Sequence, residues 1–110
     1  MTVVHIVQFR FKDGTSAEAV SQACAHMLSL KETCLHAQSN KPYITALTGG
    51  KDNSPEGLQN GIQYAFVVHF ATTEDRDYYV KTDPVHQEFI KANGPLIEKA
   101  IVVDYTMGEF

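Results

Sequence analysis

The sequence has 110 residues, 44% hydrophobic and 20% charged, with a formal net charge of −4. This composition predicts one folded domain over residues 1–110 and excludes a disordered chain. Lysines and arginines are scattered singly and no apolar run is long enough to cross a bilayer, so neither nucleic acid nor a membrane is an expected partner.

The N-terminal third of the chain predicts a strand followed by a helix. Hydrophobic and polar residues alternate over residues 3–11, which is typical of a strand that carries His5 and Val7 on one face. Ser16 follows an Asp-Gly turn and is expected to cap a helix that extends to about Glu32. Polar residues interrupt the apolar start, so the segment lacks the pattern of a signal peptide.

The two cysteines, Cys24 and Cys34, are expected to stay reduced. If both lie on this helix they are about 15 Å apart along its axis, which is too far for a disulfide. We interpret them as thiols of a cytoplasmic protein, with Cys24 as a small residue of the core rather than a nucleophile.

The middle of the chain predicts two strands separated by a loop. The first runs from Tyr43 to Thr48 and is expected to end at the Gly49-Gly50 pair. Residues 51–61 have the Asn, Ser, Pro and Gly content of a loop, and the clear alternation over residues 62–70 predicts the next strand.

The C-terminal part predicts two helical segments and a last strand. Thr72 and Asp83 are expected to cap the helices, the second with proline in its first turn. Asn93-Gly94-Pro95 is expected to end the second helix, and a strand is expected over residues 100–105.

The order β-α-β-β-α-β predicts an α+β, ferredoxin-like protomer, with a four-stranded antiparallel sheet and helices on one face. The predicted strands are apolar on both faces, as with Ile6 opposite Val7 and Val67 opposite Phe66. Because helices cover only one face, the other would expose a large apolar patch. We therefore expect a homodimer, in which two sheets pack into a dimeric α/β barrel with two-fold symmetry.

His86 is the strongest candidate for acid–base chemistry. It falls in the first turn of the helix that Asp83-Pro84 begins, where the helix dipole disfavours a positive charge. A neutral imidazole there can act as a general base. The alternative is that His86 only completes the start of the helix.

His5, Tyr64 and Tyr79 are further candidates. His5 and Tyr64 share a face of neighbouring strands, and either tyrosine has a hydroxyl that can hold an enolate oxygen. Each also has an ordinary interpretation as a residue of the core. The five histidines show no metal-binding spacing, so no metal is expected.

Five stretches together resemble the stress-responsive A/B barrel domain (Dabb) family. They are VVHIVQFRFKDGTS, GGKDNSPEG, AFVV, DRDYYVKTDPVHQEF and VVDY, in this order along nearly the whole chain. The resemblance implies a ferredoxin-like protomer that dimerises through its sheet. It also implies similarity to a plant polyketide cyclase that closes a ring by an aldol reaction without a cofactor, with its histidine and tyrosine falling on His86 and Tyr79. Tyr64 stands where the family usually has histidine.

These observations lead to one functional hypothesis with two alternatives. We expect a small-molecule pocket between sheet and helices, with His86 as base and with Tyr79, Tyr64 and His5 orienting a carbonyl substrate in a cofactor-free cyclase, lyase or isomerase reaction. The expected pocket walls are Val7, Cys24, Met27, Leu28, Phe66 and Val102. The alternatives are a non-catalytic stress-response dimer and a cofactor-free monooxygenase of the dimeric barrel type.

Overall fold

The computed structural model describes residues 1–110 and contains four strands and three α-helices. In chain order these are β1 (Val3–Phe11), α1 (Ala17–Thr33), β2 (Ile44–Lys51), β3 (Tyr64–Phe70), α2 (Thr73–Lys81), α3 (Pro84–Asn93) and β4 (Ile97–Thr106). A 3₁₀ turn over Gly94–Leu96 connects α3 to β4. None of the helices has the length and apolar character required to cross a membrane.

The strands form one antiparallel sheet in the order β2-β3-β1-β4. The two central strands are therefore β1 and β3, which are not consecutive in the chain, and β2 and β4 form the edges. This is the ferredoxin-like arrangement, so the predicted α+β fold is confirmed.

The core lies between the sheet and the helices. Alternation along β1 and β3 directs Val7, Phe9, Phe66 and Phe70 toward the helical side, where α1 contributes Met27 among others. Burial of these apolar side chains is the main force that holds the helices on the sheet.

The predicted helix caps are all present. The Ser16 side chain accepts a hydrogen bond from the Ala19 amide, and the Thr72 side chain accepts one from the Asp75 amide. Asp83 caps α3 by accepting from the Val85 amide at 2.8 Å. Each cap satisfies an amide that the first turn of a helix leaves without a partner.

The glycine pair Gly49-Gly50 does not end β2, which continues to Lys51. Gly49 pairs with Phe66 on β3, and a Cβ at that position would overlap the Phe66 ring. The glycine is therefore needed for a close approach within the strand and does not act as a terminator. Two other predicted boundaries were also wrong: β3 begins at Tyr64 instead of residue 62, after a turn at Gly61, and β4 begins at Ile97 instead of residue 100.

The face of the sheet that the helices leave uncovered is apolar along β4. Val103 and Tyr105 alternate with the residues that face the helices, and they expose 51% and 47% of their surface. Ile6 and Val67, on the neighbouring strands, are half-buried on the same side. We call this surface the open face.

Candidate active site

A cavity of about 600 Å³ lies between the helical side of β1 and β4 and the helices α2 and α3. Ten of the fourteen residues that line it are hydrophobic. Its polar side chains include the two imidazoles of His5 and His86, and Glu98 is its one charged residue. The cavity thus combines an apolar volume large enough for a small organic molecule with two groups that can carry protons.

His86 is held at the corner between α2 and α3. Its Nδ1 donates a hydrogen bond to the backbone carbonyl of Tyr79 at 2.7 Å. Because a carbonyl oxygen only accepts, the proton of the neutral ring lies on Nδ1 and Nε2 keeps its lone pair. Burial lowers the pKa of His86, and the neighbouring His5 lowers it further, although the Tyr79 hydrogen bond and the carboxylate of Asp83 oppose this. Nε2 of His86 is therefore unprotonated at neutral pH and can accept a proton.

Tyr79 contacts both imidazoles through its ring. The ring stacks on His86 with a centroid separation of 3.8 Å and meets the edge of His5 at 5.7 Å. Its hydroxyl oxygen is buried and has no hydrogen-bond partner, and burial raises the pKa of this phenol. Tyr79 therefore presents a ring to the cavity and supports His86, while its hydroxyl is shielded from a ligand.

His5 is oriented by a chain of charged side chains. Its Nδ1 lies 2.7 Å from Oδ1 of Asp104, and the other oxygen of Asp104 accepts a hydrogen bond from Arg76 at 2.8 Å. Arg76 also binds Asp77 at 2.8 Å. A carboxylate that is itself held in place fixes both the orientation and the Nδ1 protonation of an imidazole. Nε2 of His5 is left as the nitrogen without a protein partner.

The structure brings some of the predicted site residues together and leaves others apart. His5, Tyr79 and His86 meet at the cavity, and Val7, Met27 and Val102 also line it. The remaining predicted residues lie elsewhere, namely Tyr64, Cys24, Leu28 and Phe66.

Tyr64 shares a face with His5 but not a site. It pairs with Phe9 at the far end of β3, whereas His5 pairs with Val68, and its ring packs against Phe11 at 5.6 Å. The same-face prediction did not consider the four residues of strand that separate the two positions. Cys24 lies in a shallow groove beside Tyr64, Leu28 is 41% exposed on α1, and Phe66 is enclosed in the core.

Asp104 and Arg76 belong to the site but were not predicted from the sequence. Asp104 carries a charge in an apolar strand, at a position whose alternation faces the helices, and it pairs directly with His5. The charge was visible in the sequence, but the register of β4 on β1 was not. No group of three or more His, Cys, Asp or Glu side chains lies close enough together to hold a metal ion.

Comparison with known proteins agrees with this architecture. The family model described as Stress responsive A/B Barrel Domain matches residues 3–107. A crystal structure from Arabidopsis thaliana is 27% identical, with a TM-score of 0.83 over 98% of this chain and 97% of that one. Hydroxynitrile lyase from Passiflora edulis is also 27% identical, with a TM-score of 0.81 over 99% and 95% of the two chains.

A more distant structure, from Jannaschia sp. CCS1, is described as a dimeric ferredoxin-like protein of unknown function. It is 18% identical, with a TM-score of 0.77 over 97% of this chain and all of that one, and so it supports the fold alone. Among curated proteins, none matches this sequence with significance.

Proposed function

The chain belongs to the stress responsive A/B barrel domain family, and from this premise we propose that it is a cofactor-independent enzyme that makes or breaks a carbon–carbon bond next to a carbonyl group. The substrate is an apolar carbonyl compound, or the alcohol that forms when a carbon nucleophile adds to its carbonyl group. His86 is the general base, His5 is its partner in proton transfer, and Tyr79 supports both rings.

One observation carries the proposal. Two imidazoles, those of His5 and His86, line a single apolar cavity, and each is bound through Nδ1 by the protein itself. In both rings this arrangement leaves Nε2 available to a ligand. A core histidine without a catalytic role needs neither the cavity nor a second imidazole beside it.

The reaction can be written with these groups alone. Nε2 of His86 removes the proton of a substrate hydroxyl, the O–H electron pair forms the carbonyl, and the adjacent C–C bond breaks with its electrons on the leaving carbon. That carbon, as cyanide or an enolate, is then protonated. The proton that His86 has taken up reaches this carbon through Nε2 of His5, Asp104 balances the positive charge while His5 carries it, and both imidazoles end the cycle neutral.

The likeness to hydroxynitrile lyase supports this reaction class. The match to that protein covers 99% of this chain at 27% identity, and its name specifies the cleavage of a hydroxynitrile. Addition of a carbon nucleophile to a carbonyl is the reverse of the same step, so aldol-type cyclisation falls within the proposal.

The test measures cleavage and proton exchange directly. Purified protein is incubated with a panel of aromatic and aliphatic hydroxynitriles and β-hydroxy ketones, and ¹H NMR in D₂O follows both cleavage and exchange next to the carbonyl. We expect His86→Ala to lose about 100-fold or more of the rate. Glu88→Ala is the matched control, because Glu88 lies on the same helix as His86 but is exposed, makes no side-chain hydrogen bond and lies outside the cavity.

Three results would overturn the proposal. Equal rates in the wild type and His86→Ala, with both folded, would remove His86 from the chemistry. Tight binding of ligands with no turnover across the panel would favour the non-catalytic dimer, and consumption of oxygen would favour the monooxygenase.

We further propose that the protein is a homodimer joined through the open face. Val103 and Tyr105 each expose about half of their surface there. Shielding apolar surface of this kind from water is the usual driving force for association.

A further inference from the structure

Asp83 is the one carboxylate buried in the core, with 1% of its surface exposed. Both of its oxygens are used. Oδ1 accepts from the Val85 amide at the start of α3, and Oδ2 accepts a short hydrogen bond of 2.5 Å from the hydroxyl of Tyr43. Tyr43 is itself 7% exposed and lies immediately before β2. A buried hydrogen bond to a carboxylate is among the stronger polar contacts in a protein.

This pair anchors the corner between α2 and α3 to the sheet. The Asp83 amide donates to the carbonyl of Tyr78 at 2.8 Å, so the same residue closes the end of α2 and caps α3. The Tyr43 hydroxyl then connects that residue to the chain that enters β2. Without this connection, the corner is attached to the sheet by the packing of its apolar side chains and by the Arg76–Asp104 ion pair between α2 and β4.

The corner also sets the geometry of His86. The imidazole belongs to α3, whereas the carbonyl that receives its Nδ1 proton belongs to Tyr79 of α2. That hydrogen bond spans seven residues, so its length and direction depend on the angle between the two helices. A small rotation at Asp83 would lengthen the His86–Tyr79 hydrogen bond and allow the ring proton to move to Nε2. In that tautomer Nε2 has no lone pair with which to act as a base.

We propose that Tyr43 is a positioning residue that holds His86 in its base-competent orientation through Asp83. Tyr43 does not line the cavity, and it acts only by fixing the carboxylate at the helix corner. Its effect on the rate rests on the function proposed above, whereas its effect on the His86 tautomer does not.

The test compares Tyr43→Phe with wild type by long-range ¹H–¹⁵N NMR of the histidine rings, which distinguishes a proton on Nδ1 from one on Nε2. We expect a single Nδ1–H tautomer for His86 in the wild type and a mixture in Tyr43→Phe, with kcat for proton transfer lowered about tenfold and KM little changed. Tyr78→Phe is the matched control, because that half-buried tyrosine packs against Tyr43 but its hydroxyl makes no hydrogen bond to Asp83, and the backbone carbonyl that Asp83 binds is unchanged by the substitution.

Asp83→Ser provides a second variant. Serine still caps a helix but is too short to reach the Tyr43 hydroxyl, so it breaks the link and keeps the cap. We expect the same tautomer mixture as in Tyr43→Phe. The proposal is overturned if both variants fold and keep the wild-type ¹⁵N shifts of His86. If Tyr43→Phe does not fold, unchanged shifts in Asp83→Ser alone overturn it. If the variants show the expected mixture of His86 tautomers but the wild type turns over no substrate, only the proposed function is contradicted.

Discussion

The ring of His86 stacks on the ring of Tyr79 at 3.8 Å, and the Nδ1 proton of His86 is bound by the backbone carbonyl of the same tyrosine. Tyr79 thus supports the imidazole in two ways that do not involve its hydroxyl. The hydroxyl is buried without a partner. The contribution of this tyrosine to the site is therefore expected to come from its ring and its backbone.

Replacing Tyr79 by Phe should preserve both stability and proton transfer. The change removes a buried hydroxyl that makes no hydrogen bond, and such a group costs about 1–3 kcal/mol when left unsatisfied. We expect the free energy of unfolding in urea to stay the same or rise, and the rate to stay within about threefold of wild type. A large loss of rate in a stable Tyr79→Phe protein would show that the hydroxyl acts on the substrate.

Stability should fall as the pH is lowered below the ordinary histidine pKa of 6.5. Burial places the pKa of His86 in the folded protein below that value, so the unfolded chain binds more protons in the interval between the two. Within that interval the free energy of unfolding rises with pH. Above it His86 is neutral in both the folded and the unfolded state, so it causes no loss of stability. Urea titrations of wild type and His86→Gln from pH 7.5 to 5 measure the effect. The decline should be shallower in His86→Gln, and parallel curves would contradict the assignment.

Replacing Asp104 by Asn should impair the site more than the fold. Asparagine cannot balance the charge of a protonated His5 or pair as strongly with Arg76, so we expect the rate to fall about 100-fold and stability by about 1–2 kcal/mol. Asp77→Asn is the control, because Asp77 binds Arg76 but does not contact His5. Similar rate losses in both variants would indicate that Arg76, rather than the carboxylate on His5, is the important group.

A charge on the open face should separate the proposed dimer. Val103→Glu places a carboxylate in the middle of this surface, where sheet-to-sheet packing would bury it without a partner. We expect sedimentation at micromolar concentration to change from a dimer to a folded particle near 12.2 kDa. Leu28→Glu, on the exposed side of α1, should leave the dimer intact. A wild-type protein that sediments as a monomer would contradict the assembly directly.

Local features of the fold followed from the sequence. Alternation in β1 and the caps at Ser16, Thr72 and Asp83 depend on contacts within a few residues, so the side chains themselves specify them. The glycine pair in β2 was misjudged because its role is set by Phe66 on another strand. His86 was recognisable as a candidate because its position follows from the helix start beside it.

The site itself was decided by the tertiary structure. His5 meets Asp104 because β4 pairs with β1 in one particular register, and Arg76 joins them because α2 packs across the sheet. Tyr64 lies on the same face of the sheet as His5, but it lies four residues along β3 from the position that pairs with His5. Alternation determines which face a side chain occupies, whereas its neighbours depend on register and helix placement, which arise from packing of the whole core.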